Sequence, residues 1–311
     1  RARRTAPFPP LMNYPDIDIL NRRFGAPGRL AFRTGEAGLP VLAMVNQYGS
    51  CEVSLYGGHV LSYRPTGHVP VLFLSQKSLF EPGKPIRGGI PICWPWFGPA
   101  ADKTLPIHGF ARIMQWDLQS TEYSSDKTEA RLSLTDSEAT RRFWPFAFEL
   151  SLHIKLDQHL NLALTTVNRD TRPFPLSQAF HTYFRVRQIM DVNVRGLDRA
   201  PYRDRLTQQT GTHEGLLNIR AETDRVFTPP APQCVLHDAG IGRALACTFT
   251  GAKRLVVWNP WIDKARAMPD FGDDEYTRML CIEPANTDGD EVTLEPGAQH
   301  TLSAALQATL T

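Results

Sequence analysis

From Phe146 to Leu156 every even-numbered position is Phe, Leu or Ile, and the odd positions hold Ala147, Glu149, Ser151, His153 and Lys155. Side chains of an extended chain point alternately to opposite faces, so a run of period two makes a strand with one buried and one wetted face. Asp157-Gln158-His159 follows, and Leu160, Leu162 and Leu164 resume the alternation. The two runs predict a long antiparallel hairpin, whose apolar face needs a second layer to cover it. The same period recurs along the chain. Cys51, Val53 and Leu55 alternate with Glu52, Ser54 and Tyr56, and Gly57-Gly58 then marks a bulge or sharp turn. Further strands are expected at 59–64, 71–75, 130–135, 191–197, 244–250, 254–258, 279–283 and 301–309. No segment of twelve or more residues sustains a 3.6-residue period. Short helices are expected at 136–143, with Asp136 as cap, and at 262–267. The Pro-rich 228–233 stretch has strands on both sides and reads as a loop. The expected class is all-β: one large antiparallel sandwich with a few short helices in its loops.

Length and charge narrow the function. The 311 residues, 42% of them hydrophobic, suffice for a large core, and a sandwich of this size can run as one domain over 12–311. Thirty-four basic residues face 32 acidic ones, with no basic stripe or charge block, so neither nucleic acid nor a membrane surface is an expected partner. No apolar run reaches the length of a membrane span. Residues 1–11 carry Arg1, Arg3 and Arg4 but no initiator Met, and Met12 follows; we set them apart from the fold as a cloning scar, a misread start or a trimmed leader. The five cysteines (Cys51, Cys93, Cys234, Cys247 and Cys281) are odd in number, lack CxxC spacing and sit mostly in apolar runs. That suits reduced, structural thiols in a cytosolic protein.

Several stretches carry chemistry-bearing side chains. Ser177 to Val186 reads as a strand with Phe180, Thr182, Phe184 and Val186 on one face and His181, Tyr183 and Arg185 on the other. Glu283 ends an apolar strand with its side chain opposite Leu280 and Ile282. Partial desolvation there raises a carboxyl pKa and suits a base working near neutrality. The 84–99 stretch, KPIRGGIPICWPWFGP, is too rich in Gly, Pro and aromatics for a central strand. It reads as an ordered loop, with Trp94 and Trp96 able to stack on a sugar ring and Arg87 able to fork onto an anion. His108 and Arg112 lie together in LPIHGFAR, and Trp258 opens an aromatic loop, WNPWIDK. Asp204 is a weaker candidate for holding a hydroxyl. Each residue alone has an ordinary structural explanation. No dinucleotide or Walker loop, zinc-spaced Cys/His set or GxSxG elbow is present. What remains is acid–base chemistry by His and carboxylate, with arginines for an anion.

Taken together, KPIRGGIPICWPWFGP, LPIHGFAR, FHTYFRV, VVWNPWIDKA and CIEPAN resemble, in this order, the hexose-6-phosphate mutarotases of the aldose-1-epimerase superfamily. The resemblance runs from about Asn46 to the C-terminus. It implies a β-supersandwich with sugar on a concave face, no metal and no organic cofactor. It implies His181 as general acid and Glu283 as general base, with His108 near the sugar. Arg87 and Arg64 would bind the 6-phosphate or sugar, and Asp204 a sugar hydroxyl; Arg112 and Trp258 are counted with these. The expected partner is a small sugar phosphate, met by a cytoplasmic monomer. Three alternatives stay open: a non-catalytic carbohydrate-binding sandwich, a mutarotase for free or other sugars, and a glycosidase pairing Glu283 with Glu275.

Overall fold

The long hairpin forms as its pattern dictates. In the computed structural model, which describes residues 14–311, Phe148–Leu156 pairs antiparallel with Leu160–Asn168, and buried and half-buried residues alternate strictly along both. The strand begins at Phe148 because the Ala147 N–H donates to Asp170 Oδ2. The reading of residues 1–11 lies outside the described residues.

The hairpin belongs to a nine-stranded antiparallel sheet that also contains Arg243–Thr250 and Gln299–Leu310. An eight-stranded sheet covers it. Its central strands run in the order Pro201–Asp204, Thr223–Phe227, Arg254–Asn259, Met279–Asn286, Gln178–Phe180 and Ile92–Cys93, and Thr182–Arg185 also pairs with Met279–Asn286. Parity divides the faces of this second sheet. Leu280, Ile282, Phe180, Phe184, Leu255 and Val257 join Leu150, Leu152, Leu162 and Leu164 of the first sheet in the main core. Ala179, Tyr183, Val256, Trp258, Cys281 and Ala285 face the other way and pack with Phe73 and Phe271. This second face bears the candidate side chains His181 and Glu283.

Several local expectations need correcting. The 71–75 segment makes only isolated bridges, Leu72 to Phe184 and Leu74 to Gly88. The expected 191–197 strand shortens to Val192–Arg195. The second helix is Glu138–Arg141, and its cap is Ser137, which forms a capping box with Thr140. Asp136 instead accepts from the Phe148 N–H and binds Arg141. An amphipathic helix at Ile17–Phe24, capped by Asp16, is too short at eight residues to show a sustained 3.6-residue period. The aromatic loop at 258–264 is a strand end followed by helix Trp261–Ala267. Within the Gly/Pro-rich loop, Ile92–Cys93 does form a short strand against Ala179–Phe180. Gly89 holds this loop down: at φ +60° its position would place a Cβ 2.2 Å from the Val60 carbonyl oxygen. Among the described residues, no helix is long and apolar enough to cross a membrane.

Candidate active site

His181 and Glu283 are 102 positions apart in sequence yet neighbours on one ladder. The register pairs Ala179 with Ala285 and Thr182 with Ile282, so the intervening count sets His181 opposite Glu283. Directly opposed residues share a sheet face. His181 Nε2 lies 3.5 Å from Glu283 Oε1, and both side chains are almost fully buried. Among the described residues, His181 Nδ1 and Glu283 Oε2 have no hydrogen-bond partner.

Surrounding groups set the protonation of the pair. Burial, aided by nearby Asp224, pushes the Glu283 carboxyl well above its ordinary value. Burial, then the Arg112 and Arg87 guanidiniums, pushes the His181 imidazolium well below its own. The neutral-plus-neutral and ion-pair forms contain the same single labile proton, and a 3.5 Å approach lets it change owner with little rearrangement. Tyr183 stacks on the His181 ring at 4.8 Å and 13°, while Trp258 meets it edge-on at 5.9 Å. These rings leave the imidazole little freedom to turn.

His108 takes the left-handed backbone at φ 65°. Its Nδ1 accepts from the Gly98 N–H at 3.0 Å. Burial and Arg112 hold the ring well below its ordinary pKa. A neutral ring accepting at Nδ1 bears its hydrogen on Nε2, so His108 is a fixed donor. It lies edge-on to His181 at 5.6 Å and lines a cleft of about 810 Å³. Arg112 is buried beside both histidines; its Nη2 donates to the Ile107 carbonyl and its Nε has no partner.

Other candidates sit differently from expectation. Arg87 is held in place: Nε and Nη2 donate to Asp270 Oδ2 at 3.1 and 3.0 Å, and Nη1 donates to the Tyr183 hydroxyl at 3.1 Å. It braces the ring that stacks on His181. Arg64 is exposed on a separate four-stranded sheet and donates to the His68 carbonyl. It is not brought among the other candidates. Asp204 opposes Arg225, which opposes Val257, which opposes Ile282. That row faces away from Glu283. Its carboxylate takes the Leu206 and Thr207 N–H groups and Arg225 Nε. Trp94 is wholly buried, with its indole N–H on Thr166, and Trp96 donates to the Pro106 carbonyl. Glu275 is a loop staple, accepting from Ser75, Gln76 and Gly272. Arg185 points outward to solvent.

Apart from His108, the cleft's charged lining came from residues not singled out in the sequence. Asp224 opposes Trp258, which opposes Cys281, so it shares the site face. Burial raises its pKa. Arg203 opposes Val226 in the row that continues through Val256 to Glu283. Arg203 and Arg205 both pair with Asp288, and the Arg205 guanidinium lies 5.1 Å over the Phe97 ring. The period-two signal was available for Asp224 and Arg203. The pairing partners that set its phase were not. The buried His181–Glu283 pair thus lies next to a cleft lined by a fixed N–H donor at His108, the raised carboxyl of Asp224 and two arginines, Arg203 and Arg205.

The two-layer β-sandwich is the architecture of mutarotase-like proteins, and residues 40–307 match the family model for Aldose 1-epimerase. The chain belongs to that family and is an isomerase. It is 38% identical over 268 residues to a "Putative glucose-6-phosphate 1-epimerase" of Cenchrus ciliaris, covering 83% of this chain and 80% of that one. An Escherichia coli relative of the same printed name is 37% identical over 233 residues, 75% of this chain and 78% of its own. Among solved structures, a Salmonella typhimurium protein titled a "putative mutarotase" superposes with a TM-score of 0.86 at 30% identity, covering 91% of this chain and 94% of that one. A galactose mutarotase-like protein from Clostridium acetobutylicum shares the fold, with a TM-score of 0.73 at 16% identity over 91% of this chain and 98% of that one.

Proposed function

We propose that the protein interconverts the α and β anomers of a hexose 6-phosphate, with D-glucose 6-phosphate as the reference substrate. The 3.5 Å approach of His181 Nε2 to Glu283 Oε1 carries this reading. Opening a hemiacetal ring needs one proton removed from the anomeric O1 hydroxyl and one delivered to the ring O5. Both oxygens are bonded to C1, so a donor and an acceptor that oppose each other on adjacent strands can reach them together. Glu283, as carboxylate, takes the O1 proton while His181, as imidazolium, gives one to O5. The C1–O5 bond breaks and an aldehyde forms. Rotation about C1–C2 turns the other carbonyl face to O5, and closure returns both protons. Each positioned acid or base contributes roughly 10²–10⁴-fold, a modest demand for a reaction that already proceeds in water. The His108 N–H and the Asp224 carboxyl are placed to hold sugar hydroxyls.

The phosphate is assigned to the mouth of the cleft. Its second pKa is about 6, so it is largely dianionic at neutral pH. Arg87 has its fork occupied by Asp270 and Tyr183. Arg203 and Arg205 line the cleft, and their shared partner Asp288 is a carboxylate that a dianion can displace. The five cysteines are free and buried, which supports the cytosolic reading.

Exchange NMR on equilibrated glucose 6-phosphate tests the activity, with glucose as the comparison. Magnetisation transfer between anomer signals should be fast with wild-type protein and should fall about 10²–10⁴-fold in His181→Ala and in Glu283→Gln. Arg203→Ala and Arg205→Ala should raise KM for glucose 6-phosphate and leave glucose unaffected. Wild-type rates in the His181 and Glu283 variants remove the mechanism; equal rates on glucose and its 6-phosphate remove the substrate assignment.

A further inference from the structure

Cys281 takes part in no step above, yet it lies two residues before Glu283 on the same strand face and opposes Tyr183. A ring nitrogen of His181, Cys281 Sγ and a Glu283 carboxylate oxygen all lie within 4.8 Å of one another. All three side chains are buried. We propose that His181, Cys281 and Glu283 form a site for a thiophilic divalent cation of the Zn²⁺ class, which shuts the enzyme by occupying its acid–base pair.

The donor chemistry selects the ion. Zn²⁺ binds nitrogen and carboxylate oxygen at about 2.0–2.2 Å and thiolate at about 2.3 Å, and open sites use three protein ligands with a fourth position free. Tetrahedral bonds of these lengths set neighbouring donors roughly 3.3–3.8 Å apart, so donors within 4.8 Å of one another need side-chain shifts of about 1 Å to close the shell. Mg²⁺ and Ca²⁺ require six or more oxygen ligands, and a lone carboxylate beside a thiol does not offer them. Charge also fits. A dication with one thiolate, one carboxylate and a neutral imidazole sums to zero, which removes most of the cost of burying an isolated ion. Glu283 Oε2, left without a partner in the fold, supplies the spare acceptor. The site itself stands on this geometry alone. Its inhibitory role rests on the proposed function, because the ion would take the nitrogen and the carboxylate through which the protons pass.

Titration of the full chain with Co²⁺, kept reduced by a non-thiol reductant, reads thiolate ligation through a sulfur-to-cobalt charge-transfer band, and displacement by Zn²⁺ gives its affinity. One equivalent of Co²⁺ should give the band. Cys281→Ser and Cys281→Ala should both lose it and raise the Zn²⁺ Kd at least about tenfold. In the anomer-exchange assay, Zn²⁺ should inhibit competitively with glucose 6-phosphate. Absence of the band in the wild type, or an undiminished band in both Cys281 variants, overturns the site. The band without mutarotation of any sugar phosphate would retain the site and remove its inhibitory role together with the functional reading. Mutarotation without the band would do the opposite.

Discussion

At the scale of single residues, the chemistry turns on two groups displaced in opposite directions. Glu283 is raised from an ordinary 4.5, chiefly by burial, and His181 is lowered from an ordinary 6.5 by burial and the guanidiniums nearby. Between the two displaced values the pair holds one proton, the number that the reaction needs. Below the His181 value it gains a second, and the carboxylate no longer forms. Above the Glu283 value it loses the last, and no acid remains. The profile of kcat/KM should therefore be broader than the span between the two ordinary values, its acid limb displaced downward through His181 and its alkaline limb displaced upward through Glu283. A narrow maximum between 4.5 and 6.5 would contradict the assignment. Both residues were legible because each sits on a run whose parity separates it from apolar neighbours. Asp204 was misplaced for the converse reason. It stands in a four-residue strand, and only the pairing with Thr223–Phe227 shows which face it takes. Asp224, one row over, has the phase that Asp204 lacks. Arg87 is harder to read: its guanidinium donates to Asp270, 183 positions away, and to Tyr183, and no local pattern announces either.

At the scale of elements, the loop around Arg87 determines how firmly His181 is held. Asp270→Asn leaves a mostly buried guanidinium without its counter-charge. Breaking such a pair costs about 3 kcal/mol, to be read as a lowered denaturation midpoint, while the preference for glucose 6-phosphate over glucose should persist. Loss of that preference would return the phosphate to Arg87. Gly89→Ala forces a Cβ against the Val60 carbonyl at a left-handed φ. It should destabilise by about 2 kcal/mol and lower kcat more than it raises KM, because the loop packs on Tyr183 through the Tyr183 N–H to Gly89 carbonyl bond. Elements of this kind are the least legible. Gly, Pro and Trp marked 84–99 as ordered, but Trp94 went into the core and Phe97 into the cleft. Spacing cannot rank aromatics by depth when no period orders them.

At the scale of the whole molecule, the sandwich was legible because its longest strands alternate without exception, and one apolar face each demands two layers. The third, smaller sheet, Leu30–Thr34 to His59–Pro65, adds a flank that the alternation at 51–64 announced only in part. All five cysteines are free and buried within these layers. A thiol reagent such as dithionitrobenzoate should find none in the native protein and five after denaturation. Early reaction of one thiol, before unfolding, would show that the layers open locally.

The rung shared by His181 and Glu283 has a consequence for endurance. The expected single strand over 177–186 breaks at His181, whose N–H donates to the Pro91 carbonyl. Yet paired rungs on both sides, Ala179 with Ala285 and Thr182 with Ile282, space this couple, with neighbouring strands about 4.8 Å apart. Loosening of the outer turns on warming leaves that spacing untouched, so turnover should persist up to the temperature at which the sheet itself comes apart.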